Sequence, residues 1–280
     1  MNITTLLDKV YFAPRLKKID FYANRAGELQ HRVLDRLVRM AENTEWGKKY
    51  DYKSIHTYED FRNRLPIQTY EEVKPYVERL RAGEQNLLWP SEIRWFAKSS
   101  GTTNDKSKFL PVSKEALNDT HYQGGKDAVA LYLGQNPDSR FFSGQGLILG
   151  GSHSPNLNSR HGLVGDLSAI LIQNIHPLVN CVRVPSKKIA LMSDFEKKIE
   201  AIANSAISKD VTSLSGVPSW MLVLIKRILE KTGKQSLEEI WPNLEVFFHG
   251  GVAFTPYREQ YKEVIRSPKM HYVETYNASE

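Results

Sequence analysis

The sequence predicts an α/β protein, with a mainly helical lead-in over 1–92 followed by parallel or mixed sheets with flanking helices over 93–280. Three observations carry this. Apolar residues in the first third recur at spacings of three and four. From Ile93 onward, short apolar runs replace that rhythm. The last third reads VTSLSG, PSWMLVLIKRILEKTG, LEVFFHGG, TPYREQYKEVIRS and HYVETYNASE. That is strand–helix–strand–helix–strand with short connections, the signature of a parallel sheet.

Each element has its own local reason. In AGELQHRVLDRLVRMAENT, Leu29, Val33, Leu37 and Met40 fall on one face of a helix. A second helix spans YEDFRNRLP and stops at Pro66. A third starts at Thr69, with Glu72 placed for a capping box, and ends at Gly83. IRWFAKS reads as a strand entering the loop SSGTTNDKSK, with SKEALNDTHYQGGKDAVALYLG as a helix after it. FFSGQGLILGG (141–151) reads as a strand ending in glycines, and SAILIQ as a further apolar run. SDFEKKIEAIANSAIS is a helix with Phe195, Ile199, Ile202 and Ala206 on one side. Pro218 near a helix start and Gly233 past its end bound the next helix.

Composition narrows the class of function. At 280 residues, 41% hydrophobic and 25% charged, the chain has the composition of an ordinary globular protein. The longest apolar stretch, WMLVLI, is cut by Lys226 and Arg227, so no membrane partner is expected. The first residues lack a basic leader followed by an apolar stretch, and the expected location is the cytoplasm. The single cysteine, Cys181, excludes an internal disulfide and a cysteine-rich zinc site. Its flanks NCVRVP suggest a strand and a buried structural thiol. The net charge of +6 is spread among acids, and no nucleic-acid-reading motif accompanies it. An anionic small ligand accounts for the excess equally well.

In a parallel sheet, ligands bind beyond the carboxyl ends of strands, so the loops after Lys98, His249 and Tyr276 are the informative ones. The P-loop pattern fails, because Gly101 is followed by Lys106 where glycine is required. GGSHS (150–154) approaches a nucleophile elbow but has Ser154 in place of the final glycine. His153 and His161 have no metal-ligand companions at helical spacing and read as polar or structural histidines. In the loop after Lys98, Ser99, Ser100, Thr102 and Thr103 surround Gly101, with lysines following. Spacing alone leaves a solvated turn and a phosphate cradle both open. FFHGG offers consecutive glycines beside which a flat ring can lie, and YNASE offers an aromatic face, a hydroxyl and a carboxylate. The ordered set of three suits a nucleotide and a hard divalent cation.

Taken together, PYVERLRAGEQN, SSGTTNDKSKFLP, LSGVPSW, FFHGG and YNASE resemble the GH3, or auxin-responsive, family of acyl-acid amido synthetases within the acyl-adenylating enzymes. The resemblance implies the large-domain fold of those enzymes, incomplete here, with the C-terminal domain absent. It implies ATP and Mg²⁺ as cofactors and a small carboxylic acid and an amine, such as an amino acid, as substrates. It assigns Ser99, Ser100, Gly101, Thr102, Thr103 and Lys108 to the ATP phosphates, with Lys108 as the catalytic cation. Gly250, Gly251 and Val252 would line adenine, Tyr276 would stack on it, Ser279 would touch phosphate and Glu280 would hold Mg²⁺. Leu214, Val217 and Trp220 would lie near the acyl pocket. Asn104 and Asp105 stand where the family pattern has glycines. Because the chain ends at Glu280, inside the third motif, it is expected to be the N-terminal part of such an enzyme, with weak nucleotide binding and no complete turnover on its own. Two alternatives stay open: an acyl-CoA ligase-like enzyme, and a noncatalytic nucleotide- or acid-binding module on the same fold.

Overall fold

A computed structural model of the protein describes residues 3–99 and 108–279. In chain order the helices are α1 (Ile3–Leu7), α2 (Ala13–Asn24), α3 (Ala26–Ala41), α4 (Glu45–Lys49), α5 (Tyr58–Arg64), α6 (Tyr70–Ala82), α7 (Gln123–Gln135), α8 (Leu167–Asn174), α9 (Pro177–Cys181), α10 (Lys187–Ala190), α11 (Phe195–Ala206), α12 (Pro218–Thr232) and α13 (Arg258–Val264). The strands are β1 (Trp95–Lys98), β2 (Phe109–Val112), β3 (Gln145–Leu149), β4 (Leu163–Gly165), β5 (Arg183–Val184), β6 (Val211–Gly216), β7 (Val246–His249) and β8 (His271–Glu274). They form two sheets, ordered β2-β1-β4 and β5-β3-β6-β7-β8. Two compact units contain them. One is Met1–Leu16, Gly124–His153 and Asp166–Ala278; the other is Lys17–Gln123, Ser154–Gly165 and Ser279–Glu280.

In the first unit every strand pair of the five-stranded sheet is parallel. Such sheets are buried on both faces, which is why β7 begins with the apolar run Val246–Phe248 and why even the small polar Thr212 and Ser213 of β6 are buried. One face carries Leu147, Leu149, Leu214 and Phe247, packed with α11, α12 and α13 through Ile202, Leu224, Ile225, Ile228 and Tyr261. The other face carries Val246 and Phe248, packed with Phe12 and with Ala130, Tyr132 and Leu133 of α7. Buried polar groups find specific partners. Trp241 Nε1 donates to the Ala206 carbonyl (3.2 Å) and the Tyr261 hydroxyl to the Pro218 carbonyl (2.8 Å). Glu245 accepts from the hydroxyls of Tyr132 and Ser139 and the Arg140 amide.

The second unit is built around the β1–β2 hairpin, with β4 added parallel to β1. Val77 and Leu80 of α6 pack with Phe96 and Val164. The α6 start is fixed as the sequence indicates: Glu72 accepts from the Thr69 amide (2.6 Å) and hydroxyl (2.8 Å). Gly83 closes the helix at φ 108°, a left-handed conformation that glycine adopts without a Cβ penalty. Thr57 and Asp60 form a second capping box at α5.

Four local expectations change. The loop after Lys98 leads into β2 before any helix, so it is the connection of an antiparallel hairpin. In α3, the stripe Val33, Leu37 and Met40 is exposed, and the buried positions are Val38 and Ala41, one row round the helix. The strand expected over NCVRVP is confined to Arg183–Val184, and Cys181 itself is exposed at the end of α9, because Pro177 at its first turn and the His176 side chain, which accepts from the Leu178 amide, start a helix before it. Phe195 lies at an exposed helix start, edge-on to Trp220. The run SAILIQ falls within α8.

The two classes of position separate in urea denaturation. Leu214→Ala, which empties a site with no exposed surface, is expected to lower the unfolding free energy by about 3 kcal/mol. Leu37→Ala, at a site 40% exposed, should cost less than about 1 kcal/mol. Equal losses would restore the Leu37 stripe as a core face.

Candidate functional site

Because all five strands of the first unit run the same way, their carboxyl ends gather on one edge of the sheet. The chain goes from β3 to β5 on one side and returns to β6 on the other. A crevice is expected where the strand order reverses in this manner. Besides Pro185 after β5, four segments leave this edge: Gly150–His153 after β3, Val217 after β6, Gly250–Val252 after β7, and Thr275–Ala278 after β8.

The β7 and β8 exits are locked together. The Thr275 amide (2.7 Å) and hydroxyl (3.1 Å) both donate to the His249 carbonyl. This draws the β8 exit so close to Gly250 that a Cβ there would lie 2.1 Å from the Thr275 carbonyl oxygen. Gly251 adopts φ 83°, and a Cβ on it would press on Val217 at 3.3 Å. The two glycines thus leave a surface of bare main chain between β7 and β8, bounded by Val217. Tyr276 follows at once and is 93% exposed, with a ring face open to a flat partner. Beneath this surface His249 is 3% exposed and its ring stacks on Phe254 at 4.3 Å. Its Nδ1 is buried without a hydrogen-bond partner among the described residues. Burial holds the His249 imidazole below its ordinary pKa, aided by Arg258 and opposed by the Glu274 carboxylate.

The β3 exit is held by a buried cation. Lys198 of α11 is 1% exposed. Its ammonium donates to the Gly150 and Gly151 carbonyls, both at 2.8 Å, with the Ser152 hydroxyl at 3.4 Å. Asp166 accepts from the Ser152 amide (2.8 Å), and the Ser152 hydroxyl donates to the Met192 carbonyl (2.7 Å). The Gly151 amide donates to the Ser168 hydroxyl (2.8 Å). Burial lowers the Lys198 pKa to about 8, against the pull of Asp166. His153 is also held below its ordinary value, by burial and then by Lys198, with the Ala169 backbone and Asp166 opposing. The turn is therefore a rigid support. It is no nucleophile elbow, because the Ser152 hydroxyl is engaged by a backbone carbonyl.

In the second unit, β1 and β2 present the ends of the hydroxyl-rich loop. The Ser99 amide donates to the Lys108 carbonyl (3.0 Å), closing the hairpin. The Phe109 amide donates to the Tyr70 hydroxyl of α6 (2.9 Å). Lys108 Nζ lies 5.8 Å from the centre of the Tyr70 ring, and the Arg81 guanidinium covers Phe109 at 4.1 Å. The two ends of the loop are thus anchored to a helix and a strand partner. Ser100, Gly101, Thr102, Thr103, Asn104 and Asp105 fall outside the described residues, as does Glu280.

A profile of the GH3 family N-terminal domain matches residues 15–270. The chain belongs to the GH3 family. Indole-3-acetic acid-amido synthetase GH3.2 of Arabidopsis thaliana is 30% identical over 103 residues, 36% of this chain and 19% of that protein. Jasmonoyl–L-amino acid synthetase JAR4 of Nicotiana attenuata is 26% identical over 106 residues, 38% and 18% respectively. Among solved structures, the AtGH3.15 acyl acid amido synthetase in complex with 2,4-DB matches with a TM-score of 0.73 at 17% identity, over 90% of this chain and 53% of that one. A 2-hydroxyisobutyryl-CoA ligase matches with a TM-score of 0.50 at 12% identity, over 88% and 53%. At such identities the structural likeness speaks for the fold alone. The GH3 chain spans about half the length of these solved relatives.

Within this GH3 fold the assigned residues fall into separate groups. Gly250, Gly251, Val252, Tyr276 and Val217 lie together at one edge of the first unit, and Ser99 and Lys108 close the hairpin of the second. Ser279 follows directly on the β8 exit. Trp220 is partly exposed on the first turn of α12, whereas Leu214 is fully buried in the core and bears on a pocket only through its neighbours. Sequence reasoning missed Lys198. The signal was available, since Lys198 falls three residues after Phe195 and four before Ile202, on the apolar face of α11.

The buried His249 gives a pH prediction. Unfolded, its pKa returns to about 6.5, so the unfolded chain gains a proton on acidification that the folded chain resists. Stability is full above that value and falls as pH drops through it toward the lowered folded value. His249→Phe should flatten the pH 7.5-to-5.5 stability profile by up to about 1.4 kcal/mol per pH unit, measured by denaturant unfolding. An unchanged slope would mean that His249 takes up its proton freely in the folded chain.

Proposed function

We propose that this GH3 chain is part of an ATP- and Mg²⁺-dependent acyl-acid amido synthetase. A carboxylic acid is joined to AMP with release of pyrophosphate, and its acyl group then passes to an amine, of which an amino acid is the proposed class. The observation that supports this most is the pairing of the bare main-chain surface at Gly250–Gly251 with the exposed Tyr276 on the adjacent strand exit. A purine ring needs a close-packed face on one side and an aromatic face on the other, and both leave the carboxyl edge of one parallel sheet. The names of the relatives point to ligation of acids with amino acids, and those substrates belong to them.

The substrate carboxylate is already a nucleophile, so the chain's residues act by alignment and charge neutralisation, with no covalent enzyme intermediate. Lys108 supplies a cation at the end of β2's hairpin, and the Ser99–Thr103 segment would supply hydroxyl and amide donors to phosphate oxygens. Val217 and Trp220, at and just after the β6 exit, would border the acyl group. The buried His249 and the Lys198-bound turn keep the floor of this edge from yielding. Mg²⁺, when bound, would neutralise phosphate charge. Glu280 is its one assigned protein ligand, and no cluster of three metal-ligating side chains occurs among the described residues. One or two carboxylates plus substrate phosphates is the usual complement for this ion.

Calorimetric titration with Mg-ATP tests the reading. Binding is expected to be weak, with Kd about 10⁻⁴ M or looser. Tyr276→Ala should weaken it roughly tenfold through lost stacking, and Ser100→Ala/Thr102→Ala should abolish it. Equal binding by all three proteins would remove the phosphate and adenine assignments together.

A further inference from the structure

Tyr70, the first residue of α6, reaches the start of β2 beside the lysine assigned to phosphate. Its hydroxyl accepts from the Phe109 amide (2.9 Å) and donates to the Phe109 carbonyl (3.4 Å). Among the described residues β2 is an edge strand, paired with β1 alone. Phe109 stands opposite Lys98, and the bond to β1 at this end is made one residue earlier, from the Ser99 amide to the Lys108 carbonyl. The Phe109 amide and carbonyl therefore point outward, to the side where no strand lies. Such main-chain groups need a partner. One tyrosine hydroxyl satisfies both, as a neighbouring strand would.

The same side chain meets Lys108. The Lys108 ammonium lies 5.8 Å from the centre of the Tyr70 ring, within the range at which a cation is drawn to an aromatic face. Tyr70 is itself firmly placed. The Thr69–Glu72 capping box fixes the turn that carries it, and Val77 and Leu80 seat the rest of α6 against Phe96 and Val164. Arg81, in the last turn of α6, covers the Phe109 ring at 4.1 Å and donates from Nη2 to the Leu157 carbonyl (3.0 Å). Phe109 is thus held by its main chain and by its ring, and Lys108 is the residue just before it. A lysine on a flexible stem loses side-chain freedom when it engages a phosphate, and a ring that already confines it reduces that loss. We propose that Tyr70 is a positioning residue for Lys108: its hydroxyl locks the start of β2, and its ring holds the ammonium ready for polyphosphate. This role rests on the nucleotide reading of Lys108 and assigns to it a residue outside the hydroxyl-rich loop.

NMR on the unsubstituted chain and on Tyr70→Phe, which keeps the ring and loses the hydroxyl, tests this role. In Tyr70→Phe the Phe109 amide should exchange with solvent at least about tenfold faster. The Lys108 ε-methylene signals, shielded by the ring in the unsubstituted chain, should move to the position of an exposed lysine, a change that a merely structural contact would not produce. Mg-ATP, titrated into the same samples, should bind Tyr70→Phe roughly fivefold more weakly. Equal Mg-ATP affinity in the two proteins, or unmoved Lys108 signals, would overturn the positioning role and leave the nucleotide reading standing. Absence of Mg-ATP binding by the unsubstituted chain would remove the nucleotide reading, and this role with it. If Tyr70→Phe does not fold, the unsubstituted chain decides: slow Phe109 exchange with shielded Lys108 signals supports the clamp, and rapid exchange or unshielded signals overturn it.

Discussion

The parallel pairing of β6 between β3 and β7 is the constraint on which the rest of this molecule depends. Parallel strands bury both faces, so β6 supplies Leu214 to one core and leaves Ser213 and Ser215 on the other side. They also force each connection to travel back along a helix, which gives the chain α11, α12 and α13. The same polarity sends every strand exit to one edge. The loops after β6, β7 and β8 are adjacent because the strands that precede them are hydrogen-bonded in register, and for no reason contained in the loops themselves.

Around that edge the chain uses two contrasting devices. Between β7 and β8 it removes side chains: Gly250 leaves no space for one, and the Thr275-to-His249 hydrogen bonds close the gap. After β3 it does the opposite and drives a long cationic side chain under the turn, where Lys198 satisfies two carbonyls that face away from solvent. Both devices produce a rigid platform. Preorganisation of this kind is what a site needs when its chemistry consists mostly of holding two reactants in line. The burial that lowers the pKa of Lys198, His153 and His249 belongs to this platform.

Much of the fold was legible before any coordinates. The capping box at Thr69, the glycine stops at Gly83 and Gly233, and the alternation from Val211 to Glu274 follow from short-range chemistry, and the structure has them where that chemistry places them. The family was legible for a similar reason, because its motifs sit in loops whose composition no core demands. What misled the reading was competition among local signals. In α3 two apolar rows, Val33–Leu37–Met40 and Leu34–Val38–Ala41, satisfy helical spacing equally. At Cys181, β-branched neighbours argued for a strand, while Pro177 and His176 had already begun a helical turn.

Sequence by itself therefore determined the helices and strands with strong caps, the α/β class, the GH3 family and the positions of the loop motifs. Those features depend on interactions within a few residues, or on loop residue types that no core demands. Tertiary structure alone decided that the hydroxyl-rich loop closes a hairpin, that Lys198 is turned inward to hold Gly150 and Gly151, and that the Tyr70 hydroxyl caps the outer edge of β2 at Phe109. Each of these is a contact between residues far apart in the chain or across strands. Which distant partner meets a given side chain is fixed by sheet register, and register is a property of the assembled fold.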